Sequence, residues 1–228
     1  MLEQSFKHGI FKEELKNRFL CLVEIDGEDT LCYIPSSCRL SNFIDLTGRE
    51  VLVSPVSSPN ARTKYSVFAL SGNHGFILLN MSKANEAVAV NIGSRRFCFL
   101  GKRKLVKREC KINGYKSDLY IEDTRTVVEI KSILSFAKGR EARFPSVYSQ
   151  RAIDQLIKLR HLLDEGYRVG YVFVSLNPSI KRLAINEEIE AYRNAFNCCI
   201  ESGMMVKGVS LELRDGEPIV HSTLLVSF

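Results

Sequence analysis

An amphipathic helix followed at once by a fully apolar strand leaves this chain few folds to choose from. Ile153, Leu156, Ile157, Leu159, Leu162 and Leu163 recur at three-to-four spacing, and Gly166 offers a stop. The run Tyr171-Val-Phe-Val-Ser-Leu176 then ends at Asn177-Pro178 and reads as a buried strand. A second helix is expected from an Asn186 cap, with Glu187 and Glu188 in its first turn. It carries Ile189, Tyr192, Phe196, Cys199 and Ile200 on one face and stops at Gly203. Residues 206–213 and 219–228 read as a closing hairpin around Asp215-Gly216. Upstream, 119–121 and 126–131 flank the polar turn Glu122-Asp-Thr-Arg125, and 96–112 read as extended and basic. This order of elements describes an α/β domain with a mixed sheet.

The first ninety residues follow a different pattern, short strands separated by turns. Residues 19–25 lead through Asp26-Gly27, a hairpin signal, to 30–34 and Pro35. Strands are also expected at 51–53, 65–70 and 76–79. Five or so strands at this spacing suggest a small barrel or sandwich, an architecture that can serve as an oligonucleotide platform. The expected division is 1–84 for this unit and 85–228 for the α/β domain.

Composition excludes several classes. A chain that is 45% hydrophobic and 25% charged is not disordered, and no apolar run is long enough to span a bilayer. Charges stand near the N-terminus where a secretory signal needs an apolar core, and seven cysteines contain no C-x-x-C pair. A soluble cytoplasmic protein with reduced thiols, without zinc and without a membrane partner, is the expectation. The net charge of +6 is concentrated: between Arg95 and Lys116 stand nine Lys or Arg and one acid, Glu109. Such a stretch favours a polyanionic partner, because phosphate contacts release counterions, unless it is a solvated strand face.

Strand alternation puts Glu129 and Lys131 on one face and Val128 and Ile130 on the other. Asp118 opens the strand across the turn, so its carboxylate can lie beside Glu129, and Glu109 could add a third oxygen. Close carboxylates with water suit a hard divalent cation, Mg²⁺ or Mn²⁺. A lysine two residues beyond the second acid could stabilise charge growing on a phosphate. The pattern is that of metal-assisted phosphodiester hydrolysis, with Asp118, Glu129 and Lys131 catalytic and Glu109, Asp118 and Glu129 holding metal, unless acid-x-Lys here is only a solvated strand face with a cross-strand pair. Arg151, at the start of the first helix, could contact a phosphate.

The chain resembles the sugar fermentation stimulation protein A family over nearly its whole length. The matching stretches are Arg18-Phe19-Leu20, Tyr33-Ile-Pro35 with Arg39, Arg62-Thr-Lys64-Tyr65, and Leu79-Asn80 through Ala84-Asn85. They continue with Arg108-Glu109, Ser117-Asp118, Val128-Glu-Ile-Lys-Ser132, Phe144-Pro145 and Arg151. The resemblance implies an OB-fold barrel followed by a mixed-sheet α/β domain of the PD-(D/E)xK nuclease type. It also implies DNA binding without strong sequence preference and a regulatory link to sugar utilisation. Asp118, Glu129 and Lys131 fall on the nuclease-like core, and Glu109 on the upstream acidic position. The chain departs from the family pattern at Ser36-Ser37-Cys38, Ser146, Ala152 and Asp154-Gln155.

Arg39, Arg62, Lys64 and Arg151 are the candidate phosphate contacts, and Tyr65 or Phe68 could stack on an unpaired base unless, as the strand pattern favours, they belong to the barrel core. The alternatives are a DNA-binding accessory protein that does not cut, and a scaffold whose basic strand meets an acidic partner. The exposed edge of the closing hairpin is a candidate homodimer surface.

Overall fold

Five strands close on themselves at the N-terminal end. The computed structural model describes residues 6–35, 39–58, 60–136 and 139–228. The first strands are β1 (Lys7–Glu14), β2 (Leu20–Ile25), β3 (Glu28–Tyr33), β4 (Glu50–Pro55) and β5 (Tyr65–Gly72). They pair in the order β3-β2-β1-β4-β5, and β5 returns to β3 in parallel through Cys32↔Tyr65 and Tyr33↔Ser66. That last pairing removes the sheet edges and makes an OB-like barrel. Asp26 and Gly27 have φ of 55° and 85°, the left-handed pair that a two-residue hairpin requires. The sequence did not announce β1, whose apolar signal is only Ile10 and Phe11. Gly9 fits it to β2: a Cβ there would meet Val23 Cγ1 at 2.5 Å and the Glu24 carbonyl at 2.9 Å. A short β6 (Gly75–Leu78) adds to β5.

A helix follows that the sequence also hid, α1 (Ser82–Asn91). Its buried residues are the small Ala84, Ala87 and Val88, too weak an apolar stripe to read from spacing. Residues 95–100 form a 3₁₀ helix, which corrects the extended reading there; Phe97 and Leu100, three apart, are both buried.

The second sheet holds β7 (Val106–Arg108), β10 (Leu119–Ile121), β11 (Thr126–Ile133) and β12 (Glu141–Phe144). A separate small ladder of β8 (Lys111–Ile112) and β9 (Tyr115–Lys116) lies between β7 and β10 in the chain. Then come α2 (Gln150–Asp164), β13 (Arg168–Ser175), β14 (Arg182–Ile185), α3 (Glu190–Glu201), β15 (Met205–Arg214) and β16 (Glu217–Ser227). The strand order is β12-β14-β16-β15-β13-β11-β10-β7, with β11, β13 and β15 parallel. The sheet is mixed and covered on both faces, as the apolar run at β13 requires.

One face packs on α1, where Val128, Ile130, Val172 and Val209 share a core with Leu52, Phe68 and Leu78 from the outside of the barrel. The other packs on α2 and α3 through Val127, Tyr171, Phe173, Leu156 and Phe196. Ser149 caps α2, its side chain accepting from Ala152 N at 3.3 Å. The start of α3 is corrected to Glu190: Asn186 instead accepts from Glu188 N and donates to the Pro145 carbonyl at 3.1 Å. The closing hairpin is not an open edge along its whole length, because β14 pairs with Leu225, Val226 and Ser227 of β16. Among the described residues no helix is long and apolar enough to cross a membrane.

Candidate active site

Strand β11 carries the centre of the site. Its period-two alternation sends Val128 and Ile130 into the α1 core, while Glu129 and Lys131 share the side of α2. Glu129 is only 3% exposed, so each oxygen needs a partner. Oε2 accepts from the Tyr115 hydroxyl at 2.5 Å, and Oε1 from Lys131 Nζ at 2.6 Å. Lys131 Nζ also donates to Gln155 Oε1 on α2 at 2.5 Å and stands 5.9 Å from the Tyr171 ring centroid.

Asp118 immediately precedes β10. The register Leu119↔Val128, continued by one residue, sets it opposite Glu129. Its Oδ2 accepts from Ile130 N at 2.7 Å and its Oδ1 from Asn85 Nδ2 at 2.8 Å. Desolvation, helped by the Glu129 charge, raises the Asp118 carboxyl to about 6; the Ile130 N–H, Lys131 and Asn85 act against that rise. Burial and then Glu129 push the Tyr115 hydroxyl well above its ordinary range, so it serves Glu129 as a donor.

An open cavity of about 880 Å³ lies over these groups, walled also by Glu109, Arg151 and Lys158. All five second-domain candidates of the sequence therefore face one space: Glu109, Asp118, Glu129, Lys131 and Arg151. Glu109 lines the same cavity from a left-handed turn (φ 50°) between β7 and β8, but its exposed carboxylate pairs with Lys116 at 2.6 Å. That pairing lowers its pKa. Among the described residues no three His, Cys, Asp or Glu side chains gather as a ready metal site.

The barrel candidates lie apart from the cavity. Arg39 donates to the carbonyls of Leu15 and Lys16 at 2.9 and 3.0 Å, tying the β1–β2 turn to the segment after β3. Arg62 and Lys64 are exposed on the loop into β5. Phe68 is buried in the shared core and Tyr65 is half-buried, so neither offers an open ring. Much of the basic stretch is also tied up internally. Arg103 forks onto the carbonyls of Ile92 and Ser94, Arg96 reaches that of His221, and Lys102, Lys107 and Lys116 pair with Asp123, Glu122 and Glu109.

Sequence spacing gave no sign of Asn85, which arrives from α1, or of Tyr115. The departures Ser146, Ala152, Asp154 and Gln155 all line the cavity, while Ser36-Ser37-Cys38 lies outside the described residues. A family profile described as the SfsA N-terminal OB domain matches residues 15–79, and one described as the sugar fermentation stimulation protein RE domain matches 82–217. The chain belongs to the sugar fermentation stimulation protein family. The homolog of Methanothermobacter thermautotrophicus is 26% identical over 210 residues, covering 91% of this chain and 87% of its own. That of Caldanaerobacter subterraneus is 28% identical over 183 residues, 79% of this chain and 78% of its own. The structure of Pyrococcus furiosus SfsA in complex with Ca²⁺ superposes with a TM-score of 0.82 at 21% identity, covering all of this chain and 98% of that one. The whole two-part fold is thus common to this chain and that relative.

Proposed function

We propose that this family member binds DNA and hydrolyses its phosphodiester bonds with a divalent metal, Mg²⁺ or Mn²⁺. The observation that carries the reading is the meeting of Asp118, Glu129 and Lys131 in a cavity that also holds Arg151. The donor set fits a hard cation: two opposed carboxylates, one of them raised partly by the other's charge, are what a divalent ion would relieve. A relative solved with Ca²⁺ supports oxygen ligation of a divalent ion in this family. Asp118 and Glu129 would hold the ion, with Glu109 a third donor once released from its water-screened pair with Lys116.

A bound ion supplies Lewis acidity at the phosphate and a more acidic water. The chain does the rest. Tyr115 fixes the Glu129 carboxylate, Gln155 aims the Lys131 ammonium at the developing charge, and Arg151 positions the backbone. Any effect on sugar utilisation, which the family name records, would then run through DNA. A second reading, binding without cutting, draws support from the Lys131 ammonium being held by both Glu129 and Gln155 while Asp154 adds a carboxylate to the cavity. Nicking of supercoiled plasmid with Mg²⁺ or Mn²⁺, stopped by EDTA, is the deciding experiment. A salt-sensitive gel shift without any nicking would leave the second reading standing and sink the first.

Metal affinity should depend on pH through Asp118. Only its ionised form is a good ligand, so Mn²⁺ affinity rises through pH 6, levels off about a unit above, and drops roughly tenfold per unit below. Stability of the metal-free protein moves the other way. The folded state holds this proton more tightly than the unfolded state, so the penalty is full above about 6 and vanishes below the ordinary value of 3.8. Calorimetric Mn²⁺ titrations at several pH values check the first statement, and a flat profile between pH 5 and about 7.5 contradicts it.

A further inference from the structure

Outside the cavity, the barrel carries a second feature with a chemistry of its own. Phe19 and Tyr33, on adjoining chain segments beside β2 and at the end of β3, are 36% and 39% exposed. Their ring centroids are 6.2 Å apart and the planes differ by only 18°, an offset parallel stack. The Arg18 guanidinium carbon stands 4.7 Å from the Phe19 centroid. Among the described residues Arg18 has no carboxylate partner. We propose that this Arg18–Phe19–Tyr33 stack is a base-stacking platform for single-stranded nucleic acid. The proposal rests on the reading of the protein as a nucleic-acid binder, and it assigns a site separate from the cavity, which none of the three residues lines.

The rings are held by backbone. The Asn17 carboxamide oxygen accepts from Phe19 N at 3.1 Å, and the Asn17 carbonyl accepts from Leu20 N at 2.9 Å, fixing where Phe19 leaves the turn. Ile34 N donates to the Phe19 carbonyl at 2.9 Å, and the register Leu20↔Tyr33 sets the second ring diagonally beside the first. The same outward face continues through Leu22↔Leu31, with Leu31 38% exposed. An apolar surface of this kind on a rigid barrel points to a partner.

Charge selects which one. Exposed Lys16 and Arg18 lie at the ring end, while Glu28 and Asp29 lie at the far end of β3. Flat π faces beside unpaired cations suit a ligand that offers a flat base and an anionic phosphate at every step. A duplex keeps its base faces stacked inside and cannot use the rings, so the ligand is single-stranded.

The sequence contains no tryptophan, so Phe19→Trp makes a unique fluorescent reporter that preserves the stack. Oligothymidylate or oligouridylate of about 20 nucleotides should quench it, the two arms telling DNA from RNA, while an abasic strand of equal length and charge should not. Tyr33→Leu with Phe19→Leu in the otherwise native chain should lower the ratio of single-strand to duplex affinity about 10- to 100-fold. That ratio is insensitive to any loss of folded protein. Equal quenching by the abasic strand, quenching by neither oligonucleotide, or an unchanged ratio would overturn the platform, and a protein ligand for this face would then be the occupant. If the wild type binds and nicks duplex in those cases, only the platform falls; if it binds no nucleic acid at all, the proposed function falls with it.

Discussion

Lys131→Ala should slow metal-dependent nicking by about 10²- to 10³-fold while divalent-ion affinity stays the same or tightens. The two effects separate because Lys131 would serve the phosphate without being a ligand of the metal. The ammonium lies 2.6 Å from Glu129 Oε1, so removing it deletes a positive charge that competes with a cation for that carboxylate. Its service to the reaction is to the charge that grows on the phosphate, and no other described cation stands so near Glu129. Glu129→Gln should instead lose both nicking and metal binding. The lysine variant also strips a nearly buried carboxylate of its ion pair and should cost up to about 3 kcal/mol of stability, partly restored by Mn²⁺. Plasmid nicking, Mn²⁺ calorimetry and thermal melts with and without metal read all of this. Metal binding lost together with nicking in Lys131→Ala would place the lysine in the metal site's architecture and refute its role at the phosphate.

The site was legible to the extent that it is local. Period-two alternation on β11 and a tight hairpin bring Asp118, Glu129 and Lys131 together within a short stretch of chain, and the structure keeps that arrangement. What supports them comes from farther away. Asn85 reaches Asp118 from a helix whose alanine-rich face has almost no period to read, and Gln155 reaches Lys131 from α2, which covers that face of the sheet. The barrel shows the same division. Its turn-bounded strands were readable, but closure depends on two parallel residue pairs between β3 and β5 that no local rule encodes. Arg39, a candidate phosphate contact by its guanidinium chemistry, also donates to two backbone carbonyls more than twenty residues upstream, a tie that no local pattern announces. Of the barrel's aromatic residues, Phe68 faces the second sheet and Tyr65 packs on the barrel's own core, while Phe19 and Tyr33 keep part of their rings open.

Phe196→Ala should lower the melting temperature by roughly 6–20 °C, and the protein should still melt in one step. Phe196 is fully buried on α3, with Tyr171, Phe173 and Tyr192 at ring-centroid distances of 5.7, 6.1 and 6.1 Å. Truncating such a ring costs about 3–5 kcal/mol through lost transfer energy and the cavity left behind, and a chain of this size loses about 2–4 °C per kcal/mol. Phe43→Ala, at a ring 57% exposed, is the matched control and should move the transition little. A single step follows from the shared core: Leu52, Phe68 and Leu78 of the barrel pack with α1 and with Val128, Val172 and Val209 of the second sheet, so although each part has a core of its own, neither buries all of its apolar surface without the other. The damage should also reach the site. Tyr171 packs edge-on against Phe196, bonds the Tyr192 hydroxyl at 3.0 Å and lies beneath the Lys131 ammonium, so loosening the cluster loosens the floor under Glu129 and Lys131. Scanning calorimetry of the variant and wild type checks this; a barrel transition that stays at the wild-type temperature while the second domain melts early would show that the shared core does not couple the two parts.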